Sequence, residues 1–314
     1  MNIIRREKIV FYHSCSKKYT THQLIIDLGG VISTFTITVM KRILIPIDFS
    51  KHTHKVLRAA KAIAAQTGVE LAIMHTSQSE HTGSAMPVTE ATLVMYNALE
   101  NSYKQLLDEY VAGLESEGYQ AHGIWESDAI HTAILRQATE INADLIVVGR
   151  TGHGRFIDKL LGSSSTGIAL DAYCPVLVVP PQATVNKFKN IVYATQLDPQ
   201  ETEILHQVKA LAKQLDARLS LVKINGFHEP DTQENEQHML KIIRELNIPD
   251  MEVVIARDVS FLEGINKFCY QQGADLLIVS TRERGFLEQY TTNPSITKRL
   301  VVETHLPLLV YHIR

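Results

Sequence analysis

The strongest chemical signal in the chain is the stretch GRTGHGRFIDKLLGSS, residues 149–164, which directly follows the apolar run ADLIVV. It carries glycines at positions 149, 152, 154 and 162. Such residues let the backbone turn and approach a ligand without a Cβ in the way. The serines at 163–165 then add hydroxyl donors at the start of the next predicted helix, where N–H groups attract anions. The spacing G-x₂-G-x₉-G-S therefore predicts two backbone cradles that grip one polyphosphate.

The alternative is that these glycines only shape a surface loop. Their position behind a buried strand favours phosphate binding, because open α/β sheets bind ligands beyond the carboxyl ends of their strands. The spacing is neither G-x-G-x-x-G nor G-x₄-G-K-[ST], which disfavours a Rossmann dehydrogenase and a Walker-type phosphotransferase.

The elements that must position this loop occur twice along the chain. KRILIPIDFS at 41–50 matches KNIVYATQLD at 189–198, and GVELAIMHT at 68–76 matches DARLSLVKI at 216–224, both 148 positions later. NADLIVVGR at 142–150 matches GADLLIVST at 273–281, 131 positions later. The boundaries follow from the repeat: an N-terminal extension at 1–39, a first domain at 40–181, a linker at 182–188 and a second domain at 189–314.

Within each unit, continuous apolar runs alternate with helical periodicity. RILIPI is typical of a strand buried on both faces. Ser50 is expected to cap the following helix, and Gly68 to end it. Strands that alternate with helices imply parallel pairing. The predicted fold is α/β, with two tandem doubly wound domains of five parallel strands each.

Three segments, ILIPIDFS, LAIMHTS and DLIVVGRTGHGRFIDKLLGSS, strongly resemble the nucleotide-binding universal stress proteins, and the repeat resembles their tandem-domain members. The resemblance covers residues 40–314. It implies an adenine nucleotide ligand, ATP alone or with Mg²⁺, and two units that pack through their last strands as an intramolecular pseudo-dimer; a further homodimer stays open.

The resemblance also implies roles for individual residues. Asp48 holds the ribose hydroxyls, Pro46 and Ile47 line the nucleoside pocket, and Thr76 meets adenine through its backbone. The phosphates are surrounded by Gly149, Gly152, Gly162, Ser163, Ser164 and Ser165. A carboxylate accepts well from paired hydroxyls, which favours the ribose role. The alternative is that Asp48 only caps the next helix, and both roles can coexist.

Other polar residues near the expected pocket leave two interpretations open. His153 touches phosphate or lies exposed, and Arg150 and Arg155 neutralise phosphate charge or face water. His75 is expected near the pocket, and Trp125 at the end of the third strand. His52 and His54 stand two apart and do not share a helix face, so no metal site is predicted.

The second unit departs from the pattern. Gln196 replaces Asp48, Ser280 and Glu283 replace Gly149 and Gly152, and Asn293 or Pro294 takes the place of Gly162. Proline has no N–H to offer, and Glu283 would repel phosphate. The second domain is therefore expected to have lost nucleotide binding.

The bulk properties limit the remaining function classes. A formal charge of −3, without long basic runs, gives no reason to expect nucleic acid as a partner. The apolar segment at 24–40 is short and contains Asp27, so a membrane span is not expected. The cysteines at 15, 174 and 269 are odd in number, and Cys174 and Cys269 are expected to be buried thiols, which fits a cytoplasmic setting.

No nucleophile and base pair is recognisable near the loop, so no catalytic residue is predicted. The sequence favours an ATP-dependent switch in a stress response. A slow ATPase and an interaction scaffold without nucleotide are the alternatives.

Overall fold

A computed structural model describes residues 9–16, 19–27, 32–38, 40–77, 90–150, 164–225, 237, 240–241, 243–244, 252–258, 260–282 and 296–313. These residues belong to two compact units, Met1–Lys41 and Arg42–Arg314. The predicted boundary after residue 39 lies two residues before the boundary between these units. Both predicted domains, 40–181 and 189–314, fall almost entirely within the second unit.

The N-terminal unit contains a three-stranded antiparallel sheet in the order β1-β2-β3. Its strands are β1 (Ile9–Ser16), β2 (Tyr19–Asp27) and β3 (Ile32–Thr38). The sequence shows no clear periodicity in this region, and the strands were not anticipated.

The second unit is built on one ten-stranded sheet with helices packed against it. Its first half comprises β4 (Arg42–Pro46), α1 (Thr53–Thr67), β5 (Glu70–Thr76), α2 (Glu90–Ser116), β6 (Ala121–Glu126), α3 (Ile130–Glu140), β7 (Leu145–Gly149), α4 (Ser164–Asp171) and β8 (Val176–Val179). Its second half comprises β9 (Asn190–Ala194), a 3₁₀ turn (Pro199–Glu201), α5 (Thr202–Gln214), β10 (Arg218–Asn225), β11 (Glu252–Arg257), α6 (Phe261–Gln272), β12 (Leu276–Arg282), α7 (Ile296–Glu303) and β13 (Leu308–Ile313).

The strand order is β11-β10-β9-β12-β13-β8-β7-β4-β5-β6. Each half contributes five strands that pair in parallel, and the halves meet where β8 and β13 pair antiparallel. The predicted fold class, α/β with two five-stranded parallel units in tandem, is confirmed.

The register of the sheet reproduces the sequence repeat. Leu44 pairs with Ile146 in the first half, and Val192 pairs with Leu277 in the second, at the two repeat offsets. Left-handed backbone conformations recur at matching positions as well. The matched pairs are Phe49 and Leu197 (φ 55° and 57°), Gly68 and Asp216 (68° and 49°), and Asn142 and Gly273 (50° and 57°). The two halves therefore correspond at these strand and turn positions.

The sequence predicts the C-terminal end of α1 correctly and places its N-terminal end too early. Gly68 is the C-cap of α1 and donates its N–H to the Ala64 carbonyl, as predicted. The predicted N-cap Ser50 lies two residues too early, because the helix begins after His52 and the Ser50 hydroxyl accepts from the His52 N–H at 3.2 Å. Ser50 thus stabilises the turn before the helix.

One hydrophobic cluster runs beneath both halves on one face of the sheet, from Leu44 in β4 to Val310 in β13. Helices of both halves contribute to it, including Ile168 of α4 and Leu300 of α7. Cys174 and Cys269 are buried within it, as predicted, and neither is in a disulfide. None of the described helices is long and apolar enough to cross a membrane.

Candidate functional site

The strand order reverses between β4 and β7, since β5 and β6 follow on one side and β8 on the other. The carboxyl ends of these two strands border a crevice of the kind that binds ligands in open α/β sheets. Pro46 ends β4 and Gly149 ends β7. The fold thus brings the predicted residues Pro46, Ile47, Asp48 and Gly149 to one edge of the sheet.

Asp48 stabilises the start of α1. Its Oδ1 accepts from the Ser50 N–H at 3.0 Å and from the Thr53 hydroxyl at 3.3 Å. Phe49, between Asp48 and Ser50, has a left-handed backbone conformation. The side chain is exposed, and Oδ2 forms no hydrogen bond with any part of the chain that the structure describes. His52 is the N-cap of α1, without a side-chain cap bond, so Asp48 stabilises the turn before the helix and does not cap it. One carboxylate oxygen stays available for a ligand.

The start of α4 is tied to the end of β7. The Ser165 hydroxyl donates to the Gly149 carbonyl at 3.0 Å. This bond holds the N-terminus of α4, which begins at Ser164, beside the crevice. A helix N-terminus at this place favours an anion.

Arg150 has a partner in the second half of the sheet. Its Nη1 donates to the Val301 carbonyl of α7 at 3.0 Å, and the side chain is half-buried against the second half. Burial lowers the pKa of the Arg150 guanidinium below its ordinary value. Gly152, His153, Arg155, Gly162 and Ser163 lie outside the described residues, and only the backbone of Ser164 is described.

An aromatic cluster borders the crevice at the ends of β4, β5 and β6. His75 lies 4.4 Å from Phe49 and 5.2 Å from Trp125 between ring centroids, and Tyr103 of α2 stacks on Phe49 at 5.5 Å. Thr76, the predicted adenine contact, follows His75 and ends β5. The expected positions of His75 and Trp125 agree with this arrangement, whereas the parts of Phe49 and Tyr103 were not foreseen, since these residues meet only in the folded chain.

His75 is held by a backbone hydrogen bond. Its Nδ1 donates to the Ile47 carbonyl at 2.9 Å, which fixes the proton on that nitrogen in the neutral ring. Burial lowers the pKa of His75 from its ordinary 6.5, and the hydrogen bond and the charge of Asp48 offset this only in part. The ring is therefore neutral near pH 7.

The corresponding crevice of the second half, between β9 and β12, is filled. Glu201 is 0% exposed, and its Oε1 accepts from the Ser280 hydroxyl across the crevice. Its Oε2 accepts from the Thr195 hydroxyl at 2.6 Å and from the Gln196 N–H at 3.0 Å. Thr53 and Gly149 occupy the positions of Glu201 and Ser280 in the first half, so the described residues there carry no side chain equivalent to the buried glutamate.

Sequence reasoning missed Glu201, although a signal was present. Asp198 and Glu201 stand three apart in DPQE, and they form a capping box at the start of the turn that leads into α5. Of the substitutions that predicted loss of the second site, Gln196 and Ser280 lie at this crevice, and Glu283, Asn293 and Pro294 are outside the described residues.

A comparison with family models matches residues 40–180 to the Universal stress protein family. Universal stress protein A homolog 1 of Coxiella burnetii is 30% identical over 142 residues, which are 44% of this chain and 95% of that protein.

The chain belongs to the universal stress protein family.

A further relative, the universal stress protein in the QAH/OAS sulfhydrylase 3′ region of Thermus aquaticus, is 31% identical over 145 residues, 44% of this chain and 98% of the relative. Among solved structures, a universal stress protein from Archaeoglobus fulgidus aligns with a TM-score of 0.68 and 18% identity, over 87% of this chain and 96% of its own. That likeness extends over both halves and concerns the fold. The expected family membership is confirmed.

Proposed function

We propose that this universal stress protein binds ATP in the crevice between β4 and β7, and that occupancy switches its interactions in a stress response. One observation carries the proposal: Asp48, beside this crevice, keeps an uncommitted carboxylate oxygen, whereas the matching crevice of the second half is filled by Glu201. The two halves share one fold. They differ in the polar side chain at the crevice, which is the exposed Asp48 in the first half and the buried Glu201 in the second.

The described residues suit the parts of a nucleotide. The free oxygen of Asp48 accepts from ribose hydroxyls, while its partner oxygen keeps the side chain fixed on the start of α1. Ile47 is buried beside Asp48 and, with Pro46, provides an apolar wall for the nucleoside. Thr76 offers its backbone to the base. The N-terminus of α4 and Gly149 provide N–H groups for phosphate, in company with the predicted Gly152, His153, Arg155, Gly162 and Ser163.

Binding rather than catalysis is proposed because no described side chain forms a nucleophile and base pair at this edge. Asp48 is committed to the helix start and to the ribose. The second half serves as the intramolecular partner of the first, joined to it through β8 and β13. A cytoplasmic location is part of the proposal, and the buried thiols of Cys174 and Cys269 support it.

The first test uses the protein as purified. Denaturation should release bound adenine nucleotide, which chromatography identifies. Recovered ATP supports the switch, recovery of ADP alone supports slow hydrolysis, and a nucleotide-free protein that also fails to bind added ATP supports a scaffold and overturns the proposal.

A titration with ATP supplies the matched comparison. Gly152→Glu imports the residue of the second half and is expected to abolish binding with little change in Tm. Gly113→Glu is the control, because it adds the same charge to an open position near the end of α2, where a Cβ meets nothing within 4 Å. Equal affinities in both variants would contradict a phosphate site at the glycine loop.

A further inference from the structure

The second half buries the carboxylate of Glu201. Glu201 is 0% exposed, and no Lys, Arg or His of the described residues forms an ion pair with it. A buried charge is costly unless hydrogen bonds replace its lost hydration. The surroundings of Glu201 must therefore be built to hold an anion.

Four donors from two parts of the chain converge on this carboxylate. The turn after β9 supplies the Thr195 hydroxyl at 2.6 Å and the N–H groups of Gln196 and Asp198 at 3.0 and 3.3 Å. The fourth donor is the hydroxyl of Ser280, at the far side of the crevice. Leu197 takes a left-handed conformation with φ 57°, and a turn of this kind presents its neighbouring N–H groups to one anion.

The first half repeats the turn but not the occupant. Phe49 matches Leu197 with φ 55°, and Thr53 stands where the second half has Glu201. There the Ser50 N–H, which corresponds to that of Asp198, is taken by the carboxylate of Asp48. The backbone N–H donors around Glu201 therefore belong to the shared turn. The Thr195 and Ser280 hydroxyls, which replace Ile47 and Gly149, and the glutamate itself are additions of the second half.

We infer that Thr195, Gln196, Asp198 and Ser280 form a carboxylate-binding cradle whose resident ligand is the chain's own Glu201. Removal of that side chain beyond Cβ would leave a site for a small carboxylate anion. A carboxylate fits better than phosphate, because the cradle encloses two oxygens and, among the residues that the structure describes, offers no cation for a second negative charge. The crevice between β9 and β12 is therefore closed by an internal anion, whether or not the first half binds a nucleotide.

Chemical rescue tests this inference. Glu201→Ala deletes a fragment that corresponds to acetate, so acetate should occupy the vacated cradle. The Tm of this variant is measured at rising acetate concentration, with chloride at equal ionic strength as the reference. We expect a saturable upward shift of a few degrees, because a ligand that binds only the folded state stabilises it.

Two other proteins receive the same treatment. Wild type and Glu203→Ala, which alters an exposed glutamate on α5, should show only the shift that chloride also produces. An acetate effect of equal size in all three proteins would overturn the inference, and so would the absence of any selective shift in Glu201→Ala.

If Glu201→Ala does not fold unaided, the refolding yield of Glu201→Ala is compared in acetate and in chloride. An equal yield in both salts overturns the inference. Glu201→Gln fills the cradle with a neutral side chain of the same shape and should gain nothing from acetate; rescue of this variant would show that the effect does not arise from the cradle. None of these readouts involves ATP, so failure of the proposed nucleotide site is a separate outcome.

Discussion

The guanidinium of Arg150 donates to the carbonyl oxygen of Val301, 3.0 Å away, and so connects the residue after β7 with the last turn of α7. The last four carbonyls of a helix have no partner within the helix, and a cation there also interacts favourably with the helix dipole. Arg150 lies beside the crevice of the first half and thus supplies a hydrogen-bond donor to a carbonyl at the end of α7 in the second half.

Replacement of Arg150 should therefore reduce stability. Arg150→Ala leaves a half-buried carbonyl without its donor, and we expect the free energy of unfolding to fall by about 1–2 kcal/mol. Arg150→Lys keeps a charged donor and should recover part of this loss. Denaturant unfolding measures both changes.

Arg136→Ala is the control for Arg150. Its guanidinium is exposed and pairs with the exposed Asp128 and with the largely buried Glu126. Pairs of exposed groups contribute at most about 1 kcal/mol, so this replacement should cost less than that of Arg150. A large loss of ATP affinity in Arg150→Ala at unchanged stability would instead place this arginine on phosphate.

Asp48 has two roles that substitution can separate. Asp48→Asn retains an acceptor for the Ser50 N–H and the Thr53 hydroxyl, so its stability should stay close to that of the wild type. It loses the charge that strengthens hydrogen bonds to the ribose, which should weaken ATP binding by about 10- to 100-fold. Calorimetric titration and thermal unfolding give the two readouts.

Asp48→Ala also removes the acceptor of the Ser50 N–H and the Thr53 hydroxyl and should lose about 0.5–1.5 kcal/mol of stability in addition. If Asp48→Asn binds ATP as the wild type does, Asp48 serves only the turn before α1.

The elements around the site follow from local patterns. The apolar run that contains β4 and the glycine that ends α1 each determine structure only within a few neighbouring residues. Both features lie where the sequence predicts them. The repeat then transfers these assignments to the second half. Ser50 shows the limit of local reasoning, since its hydroxyl serves the turn and the helix starts later.

The residues that sequence reasoning missed depend on distant parts of the chain. Glu201 reads as the third residue of a capping box on a helix start, and its burial requires Ser280, 79 positions away. Arg150 reads as a loop cation, and its partner Val301 lies 151 positions away. The first contact arises where β9 and β12 lie side by side within the second half, and the second where the two halves pack together. No short sequence pattern encodes either of them.

A side chain at position 149 should impair the first crevice. Gly149 does not have a positive φ, so its backbone tolerates serine, as Ser280 does at the equivalent place. Gly149→Ser should keep the Tm within about 2–4 °C of the wild type while ATP affinity falls, because the hydroxymethyl group fills space beside the phosphate. Unchanged affinity would show that the ligand does not approach the end of β7.

The last prediction concerns pH and follows from the lowered pKa of His75. The unfolded chain binds a proton at this residue near pH 6.5, whereas the folded protein does so only at lower pH. The contribution of His75 to stability is therefore full above about pH 6.5 and is lost as the pH falls through that value towards the folded pKa. His75→Gln keeps a donor for the Ile47 carbonyl but does not titrate.

Unfolding of both proteins at a series of pH values between about 8 and 5 measures this difference. The wild type should lose more stability than His75→Gln over that range. Trp125 is the one tryptophan of the chain, and its ring centroid lies 5.2 Å from that of His75. Its fluorescence should dim as the imidazole gains a proton, and this change should vanish in the variant. Parallel pH profiles for the two proteins would show that His75 does not change protonation on unfolding.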